Sequence, residues 1–162
     1  RMDKKIIYLV LVPLIGLIGL ISCSDNSPGE QFIPGDDNTN AKLTCDGIII
    51  SESQYNSAET NEFIVNNSDI EGDSLMIELQ YGGGCGPVSA ELYTDGLFME
   101  SNPVQLNLIL AFTDDDPCEM IVKKKFCFDL SNLATYYNDS YQTTGGTIVL
   151  IIKDYNQLTY NF

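Results

Sequence analysis

The stretch VQLNLILAF, residues 104–112, places Val104, Leu106, Leu108, Leu110 and Phe112 on alternate positions. A strand turns successive side chains to opposite faces, so this stripe predicts a β-strand with one face in the core. The same period of two recurs on both sides. Leu75, Ile77, Leu79 and Tyr81 alternate with Met76, Glu78 and Gln80, and Val88, Ala90 and Leu92 with Ser89, Glu91 and Tyr93. Val122, Phe126 and Phe128 make another stripe. Ile148 to Ile152 is apolar on both faces, which predicts a central strand. Gly47 to Ser51, Glu62 to Val65 and Leu158 to Phe162 are further strand candidates. Turn chemistry separates them at Asn66-Asn67, Glu71-Gly72-Asp73, Asp95-Gly96, Ser101-Asn102-Pro103, Gly145-Gly146 and Asp154-Tyr155-Asn156. Leu130 to Tyr137 alone suggests a short helix, capped by Asp129 or Ser131. About eight short strands with close turns predict an all-β domain, an antiparallel β-sandwich of immunoglobulin-like or similar type with one short helix. A transmembrane barrel lacks its aromatic girdles here.

The β-pattern begins near Leu43, so residues 43–162 form one domain of about 120 residues, able to bury about two-thirds of its unfolded surface. The chain before it has another character. Arg1, Lys4 and Lys5 precede sixteen uncharged residues, Ile6 to Ile21, in the order of a signal peptide. The run is short for a membrane span, which needs about 20 apolar residues. It ends in Leu20-Ile21-Ser22-Cys23, which resembles the lipobox of bacterial lipoproteins. The resemblance implies removal of residues 1–22, a diacylglycerol on the Cys23 thiol and a further acyl chain such as palmitate on the freed amine. Multiple chains hold stably where one is marginal. An ordinary signal peptide with a chance cysteine, or an uncleaved anchor, is the alternative. Ser24 to Lys42, rich in Ser, Asp, Asn, Gly and Pro, completes a tether over residues 23–42, a coil spanning about 20–25 Å.

The whole chain has 8 Lys+Arg and 23 Asp+Glu. Removal of Arg1, Asp3, Lys4 and Lys5 with residues 1–22 leaves 5 basic and 22 acidic side chains, a net charge of −17. Nucleic acid and anionic lipid headgroups are repelled at that charge. Lys123-Lys124-Lys125 is the only basic run. Inside a strand, lysines guard an edge against pairing, and a docking patch for an acidic partner is the alternative.

Four cysteines remain after Cys23, namely Cys45, Cys85, Cys118 and Cys127. An even number in an exported chain suggests two disulfides, with three possible pairings. The turn-rich flanks Gly82-Gly83-Gly84 and Asp114-Asp115-Asp116-Pro117 favour Cys85–Cys118, which leaves Cys45–Cys127. No CxxC spacing and no His occurs, so no zinc signature is present. Tyr81-Gly-Gly-Gly-Cys85-Gly-Pro87 is the most unusual local feature. Its glycines suit wrapping of an anion, but no Lys-Ser/Thr follows as in a P-loop. Without His, Cys85 also lacks the usual base of a cysteine nucleophile. A turn leading into a disulfide is the simpler reading.

Asp69, Glu71 and Asp73, and Asp114, Asp115 and Asp116, are dense carboxylate clusters. Calcium takes six to eight oxygens, and the clusters supply part of such a set, without the other EF-hand positions. The expectation is no resident cofactor or metal, with calcium as the alternative. A glycosidase carboxylate pair is a further alternative, though nothing singles out two acids. Tyr136, Tyr137 and Tyr141 are candidates for a binding surface. Asp73-Ser74-Leu75 resembles a short O-glycosylation signal of some bacteria.

Gly72-Asp73-Ser74-Leu75, Tyr81 to Cys85, Asn102-Pro103-Val104-Gln105, Asp116-Pro117-Cys118-Glu119 and Phe128-Asp129-Leu130 together resemble uncharacterised lipoproteins of the Bacteroidota, over about Ile70 to Leu130. Similar chains carry a His soon after the glycine-linked cysteine, where this chain has Gly86-Pro87-Val88. The resemblance implies an envelope location, at the outer membrane, and brings no activity. The expected function is therefore a lipid-anchored, non-enzymatic binding or structural module with an envelope protein or glycan as partner. A carboxylate-dependent glycan hydrolase or a calcium-dependent adhesion module is the alternative. Mass mapping of a non-reduced digest is expected to recover Cys85 linked to Cys118 and Cys45 linked to Cys127; any other linkage contradicts the pairing.

Overall fold

A computed structural model describes residues 44–162; the basic start, the apolar run, Cys23 and the tether lie outside the described residues. The elements run β1 (Asp46–Gly47), β2 (Ile49–Ile50), α1 (Glu52–Ser57), β3 (Ile64–Glu71), β4 (Ser74–Gly83), β5 (Val88–Thr94), β6 (Val104–Asp114), β7 (Met120–Asp129), α2 (Ser131–Tyr141), β8 (Thr147–Ile152) and β9 (Gln157–Asn161). They form two sheets, in the orders β1-β7-β4-β3 and β2-β5-β6-β8-β9. The architecture is an all-β sandwich and not a closed barrel.

The stripes read from the sequence make the core. Leu75, Ile77 and Leu79 of β4 meet Leu106, Leu108 and Phe112 of β6, and all six are fully buried. Leu92, Phe128, Ile148, Leu150 and Tyr160 close the layer. Each such side chain stabilises the fold by about 1.5–3 kcal/mol relative to exposure.

The expected sandwich of about eight strands has nine among the described residues, and two points are corrected: the pairing is mixed and not all antiparallel, and there are two helices and not one. The ladders β3–β4, β4–β7, β5–β6 and β8–β9 are antiparallel, while β6–β8, β1–β7 and β2–β5 are parallel. The reason is connectivity. After β6 the chain crosses to the other sheet as β7 and returns through α2, so β8 arrives beside β6 in the same direction. The unexpected α1 has six residues and buries none of them, so it left no apolar period to read. Ser51 caps it by accepting from the Gln54 N–H at 3.4 Å. The second helix runs on to Tyr141, past the expected Tyr137. Leu130 holds its N-cap position, and the Asp129 carboxylate accepts from the Ser131 N–H at 2.9 Å. Bonds from the Ser131 backbone and side chain hold the Asp129 carboxyl below its ordinary range.

Two cysteine pairs stand at disulfide distance. Cys45 and Cys127 tie the entry to β1 onto β7, and Cys85 and Cys118 tie the β4–β5 turn to the β6–β7 loop. With separations of 82 and 33 residues, loop-closure entropy assigns about 4–5 and about 3–4 kcal/mol to them. The outer edge of β7 is paired by β1 only at Phe128 and Asp129. The three lysines stand along the rest of it. Lys124 lies on the Val122 and Phe126 side, its ammonium 5.2 Å from the Phe126 ring centre and donating to the Val88 carbonyl at 3.4 Å. An inward charge on an edge strand opposes strand addition.

Tyr160 of β9 is fully buried and donates its hydroxyl to the Asp73 carboxylate of the β3–β4 turn at 2.6 Å, joining the two sheets. Burial first, then the bond to Asp73, holds the Tyr160 phenol above its ordinary value. A phenol raised by folding contributes stability that is complete below the unfolded value near 10 and is lost as pH rises above it. Tyr160→Phe is expected to cost about 1–3 kcal/mol at pH 7. In urea unfolding at several pH values the gap to the parent should narrow above pH ~10; a constant gap contradicts the assignment.

Candidate functional site

The site grows from an incomplete pairing. β8 accompanies β6 only from Val104 to Leu108, so the outer edge of β6 beyond Leu108 lacks a partner strand. The segment after α1 fills that edge. The Asn61 N–H donates to the Phe112 carbonyl at 2.8 Å, Thr60 Oγ1 accepts from the Phe112 N–H at 3.0 Å, and Asn61 Oδ1 accepts from the Asp114 N–H at 3.0 Å. Two polar side chains thus satisfy edge donors that a strand would otherwise take. The chain then crosses to the opposite sheet as β3, carrying Phe63 in between.

Phe63 meets the buried Phe112 edge-on, with ring centres 5.8 Å apart, and stacks on Tyr155 at 4.9 Å with 21° between planes. Tyr155 lies in the β8–β9 turn, where Asp154 adopts φ 66° and the Tyr155 N–H donates to Ile152 O at 3.0 Å. Tyr155 is 42% exposed, although Phe63 is stacked on its ring. Burial and then Asp154 raise its phenol. A cleft of about 530 Å³ opens between this aromatic pair, the crossing segment, Gln80 to Gly82 of β4 and Ile121 of β7. Tyr81, at its inner side, is raised by burial and by the charges of Asp114 and Asp116. Glu62 is the one carboxylate of the lining, and no Lys or Arg joins it.

Tyr155 also bounds a second, polar cleft of about 380 Å³ along β3, from Val65 to Ser68, with Asn156. The β3–β4 register shifts between Val65 and Asn67, a bulge at Asn66. Asn156 Nδ2 donates to Ser68 Oγ, and Asn156 Oδ1 is buried with no partner among the described residues. Sequence reading missed these residues. Asp154-Tyr155-Asn156 was legible only as a turn, and the signal available was an aromatic ring in its middle.

The glycine-rich loop does wrap an anion, and the anion is the chain's own. Cys85 and Gly86 donate their N–H groups to Asp116 Oδ2 at 2.7 and 2.8 Å, and the Cys118 N–H donates to Asp116 Oδ1 at 2.6 Å. Gly84 has φ +109°, which a side chain rarely adopts, and Gly86 has no room for a Cβ, which would lie 2.9 Å from the Asp116 Cβ. Burial pushes the Asp116 carboxyl up, and the N–H groups of Cys85, Cys118, Gly86 and Gly84 outweigh it, so the net shift is down.

Among the described residues, Cys85, Asp116 and Cys118 are the only three His, Cys, Asp or Glu whose ligand atoms lie within 4.8 Å of one another. The two sulfurs are at disulfide distance, which removes them as thiolate ligands. The calcium candidates are dispersed. Asp69 and Glu71 sit exposed on β3, and Asp73 is engaged by Tyr160. Asp114 accepts from the Asp116 N–H at 3.1 Å, and Asp115 is exposed. Ser74 is half-buried in the β4 ladder opposite Asp129. Tyr136, Tyr137 and Tyr141 lie on α2 around Phe98, at ring distances of 5.7, 5.5 and 5.6 Å, and the Tyr136 hydroxyl donates to the Gly96 carbonyl at 3.1 Å. That packing clamps α2 onto the β5–β6 connection.

The fold and cleft define the class: a mixed β-sandwich with an aromatic-centred trough along one side. No known protein family matches the chain, and no curated protein matches it. Among solved structures it is similar to a "protein of unknown function DUF1344" of Bacteroides vulgatus, with TM-score 0.45 and 14% identity over 74% of this chain and 56% of that one. It is also similar to a "Putative lipoprotein" of Bacteroides fragilis, with TM-score 0.46 and 12% identity over 74% of this chain and 68% of the other. A "Putative TOXIN related protein" of Parabacteroides distasonis gives TM-score 0.42 and 18% identity over 73% and 59%. The chain thus spans little more than half the length of the first of these. Among the described residues no helix is long and apolar enough to cross a membrane.

A carboxyl lowered by folding contributes stability above its unfolded value, near 3.9, that is lost as pH falls through the folded value. Asp116→Asn should therefore lower the Tm at pH 7 and make the Tm less sensitive to acid. A Tm at pH 7 equal to the parent's contradicts this role of the Asp116 carboxylate.

Proposed function

We propose that this chain is a lipid-anchored cell-envelope protein whose β-sandwich is a non-enzymatic binding module, with the cleft beside Phe63 and Tyr155 as its binding surface. The observation that carries the reading is the aromatic pair: a flat ring held at the surface and braced through Phe63 onto the core. Aromatic faces with polar neighbours are the usual substance of recognition surfaces. Catalytic equipment is sparse beside it. The chain has no His, and the principal cleft has the single carboxylate Glu62, where glycoside hydrolysis by the usual route uses two.

The anchor rests on the sequence before the domain. The lipobox-like Leu20 to Cys23, the basic start and the polar tether support export and acylation of Cys23, with palmitate among the chains, and placement at the outer membrane. The net charge of −17 after removal of residues 1–22 suits a domain held off an anionic surface.

Two measurements test this. Growth of a lipoprotein-processing bacterium with an alkynyl palmitate should label the chain, and Cys23→Ala should abolish the label and release the protein from membranes; a labelled Cys23→Ala protein contradicts the anchor. Amide-shift mapping of the detergent-solubilised full chain with a panel of small uncharged aromatic, aliphatic and polyol probes should move residues 60–68, 80–82 and 155–156 together. Shifts confined to other surfaces, or none from any probe, contradict the cleft.

A further inference from the structure

We infer that the trough beside Tyr155 takes an uncharged carbohydrate chain, with one sugar ring lying on the Tyr155 face. The inference rests on the binding reading above and gives it a ligand class. Four features select that class. The first is shape. Tyr155 is 42% exposed and its ring lies almost parallel to Phe63, which braces it, so the site is a flat aromatic platform and not a deep apolar pit. The C–H face of a pyranose is apolar, with slightly positive hydrogens, and suits the negative face of an aromatic ring.

The second feature is the rim. Gln80 borders the larger cleft, and Asn66, Asn67 and Asn156 border the smaller one. A primary amide donates and accepts at once, which is the pattern that neighbouring sugar hydroxyls present.

The third feature is charge. The two clefts contain Glu62 and no cationic side chain, on a chain of large negative charge. Uronic-acid polymers, sulfated glycans and phosphates are therefore repelled. The fourth is extent. Clefts of about 530 and 380 Å³ share Tyr155 in their linings, so units of a chain next to the one on Tyr155 have room beside it. An extended peptide fits less well. It would add to the outer edge of β3, where the bulge at Asn66 breaks the register a new strand needs.

The test is affinity electrophoresis of the solubilised full chain through gels containing neutral glucan, mannan, xylan or galactan, with polygalacturonate as the anionic comparison. Retardation is expected in at least one neutral gel and not in polygalacturonate. Tyr155→Ala should weaken it by about tenfold or more, since loss of a stacking face costs on the order of 1.4 kcal/mol. Tyr155→Phe should keep it, and so should Leu97→Ala, which shortens an exposed side chain outside both clefts. Cooperative thermal unfolding of each variant confirms that it is folded. No retardation in any neutral gel, from a protein whose cleft residues still respond to aromatic or aliphatic probes, overturns the carbohydrate inference and leaves the binding reading standing. No response to any probe overturns both. Retardation in polygalacturonate alone, or retardation that survives Tyr155→Ala, overturns the inference as well.

Discussion

The outer edge of β6 is the constraint on which the site depends. β6 is the longest strand, and β8 accompanies it for less than half its length. Unpaired N–H groups at Phe112 and Asp114 would be costly so close to the core. The chain answers with Thr60 and Asn61, whose side chains and backbone take the place of a strand. This local repair directs the crossing segment between the sheets and sets Phe63 against Phe112. Tyr155, from a distant turn, then has a surface to stack on. The trough is thus a consequence of how one strand is completed, and its floor inherits the rigidity of the core.

The opposite strategy governs the glycine-rich loop. There the backbone supplies the donors and a side chain supplies the acceptor. Gly84 and Gly86 let the chain curl tightly enough for the N–H groups of Cys85 and Gly86 to converge on Asp116. The Cys85–Cys118 pair closes the same loop. A motif that looks like chemistry in the sequence is satisfied internally, which directs attention away from it and toward the Tyr155 side.

Much of the architecture was legible because burial writes itself as a period of two. Leu75 to Tyr81 and Val104 to Phe112 showed their inward faces, and Gly72 and Gly96 marked turns where the backbone takes φ +57° and +77°. Periodicity reports which face of a strand is buried, not which strand lies beside it. The parallel β6–β8 pairing was therefore invisible, as was α1, which buries nothing. Turn-rich flanks pointed to Cys85 with Cys118, whereas Cys127, buried in β7, carried no local signal of its proximity to Cys45. The site was the least legible part. Phe63, Gln80 and the Tyr155-Asn156 turn come from three separate segments, and only the fold brings them together.

Hydrogen exchange at individual amides tests the central claim most directly. If Thr60 and Asn61 complete β6, the Phe112 and Asp114 amides exchange as slowly as the paired amides of the β5–β6 ladder, and Thr60→Val speeds Phe112 selectively. Free exchange of Phe112 and Asp114, at the rate of an open strand edge, would contradict the closure on which the trough is built.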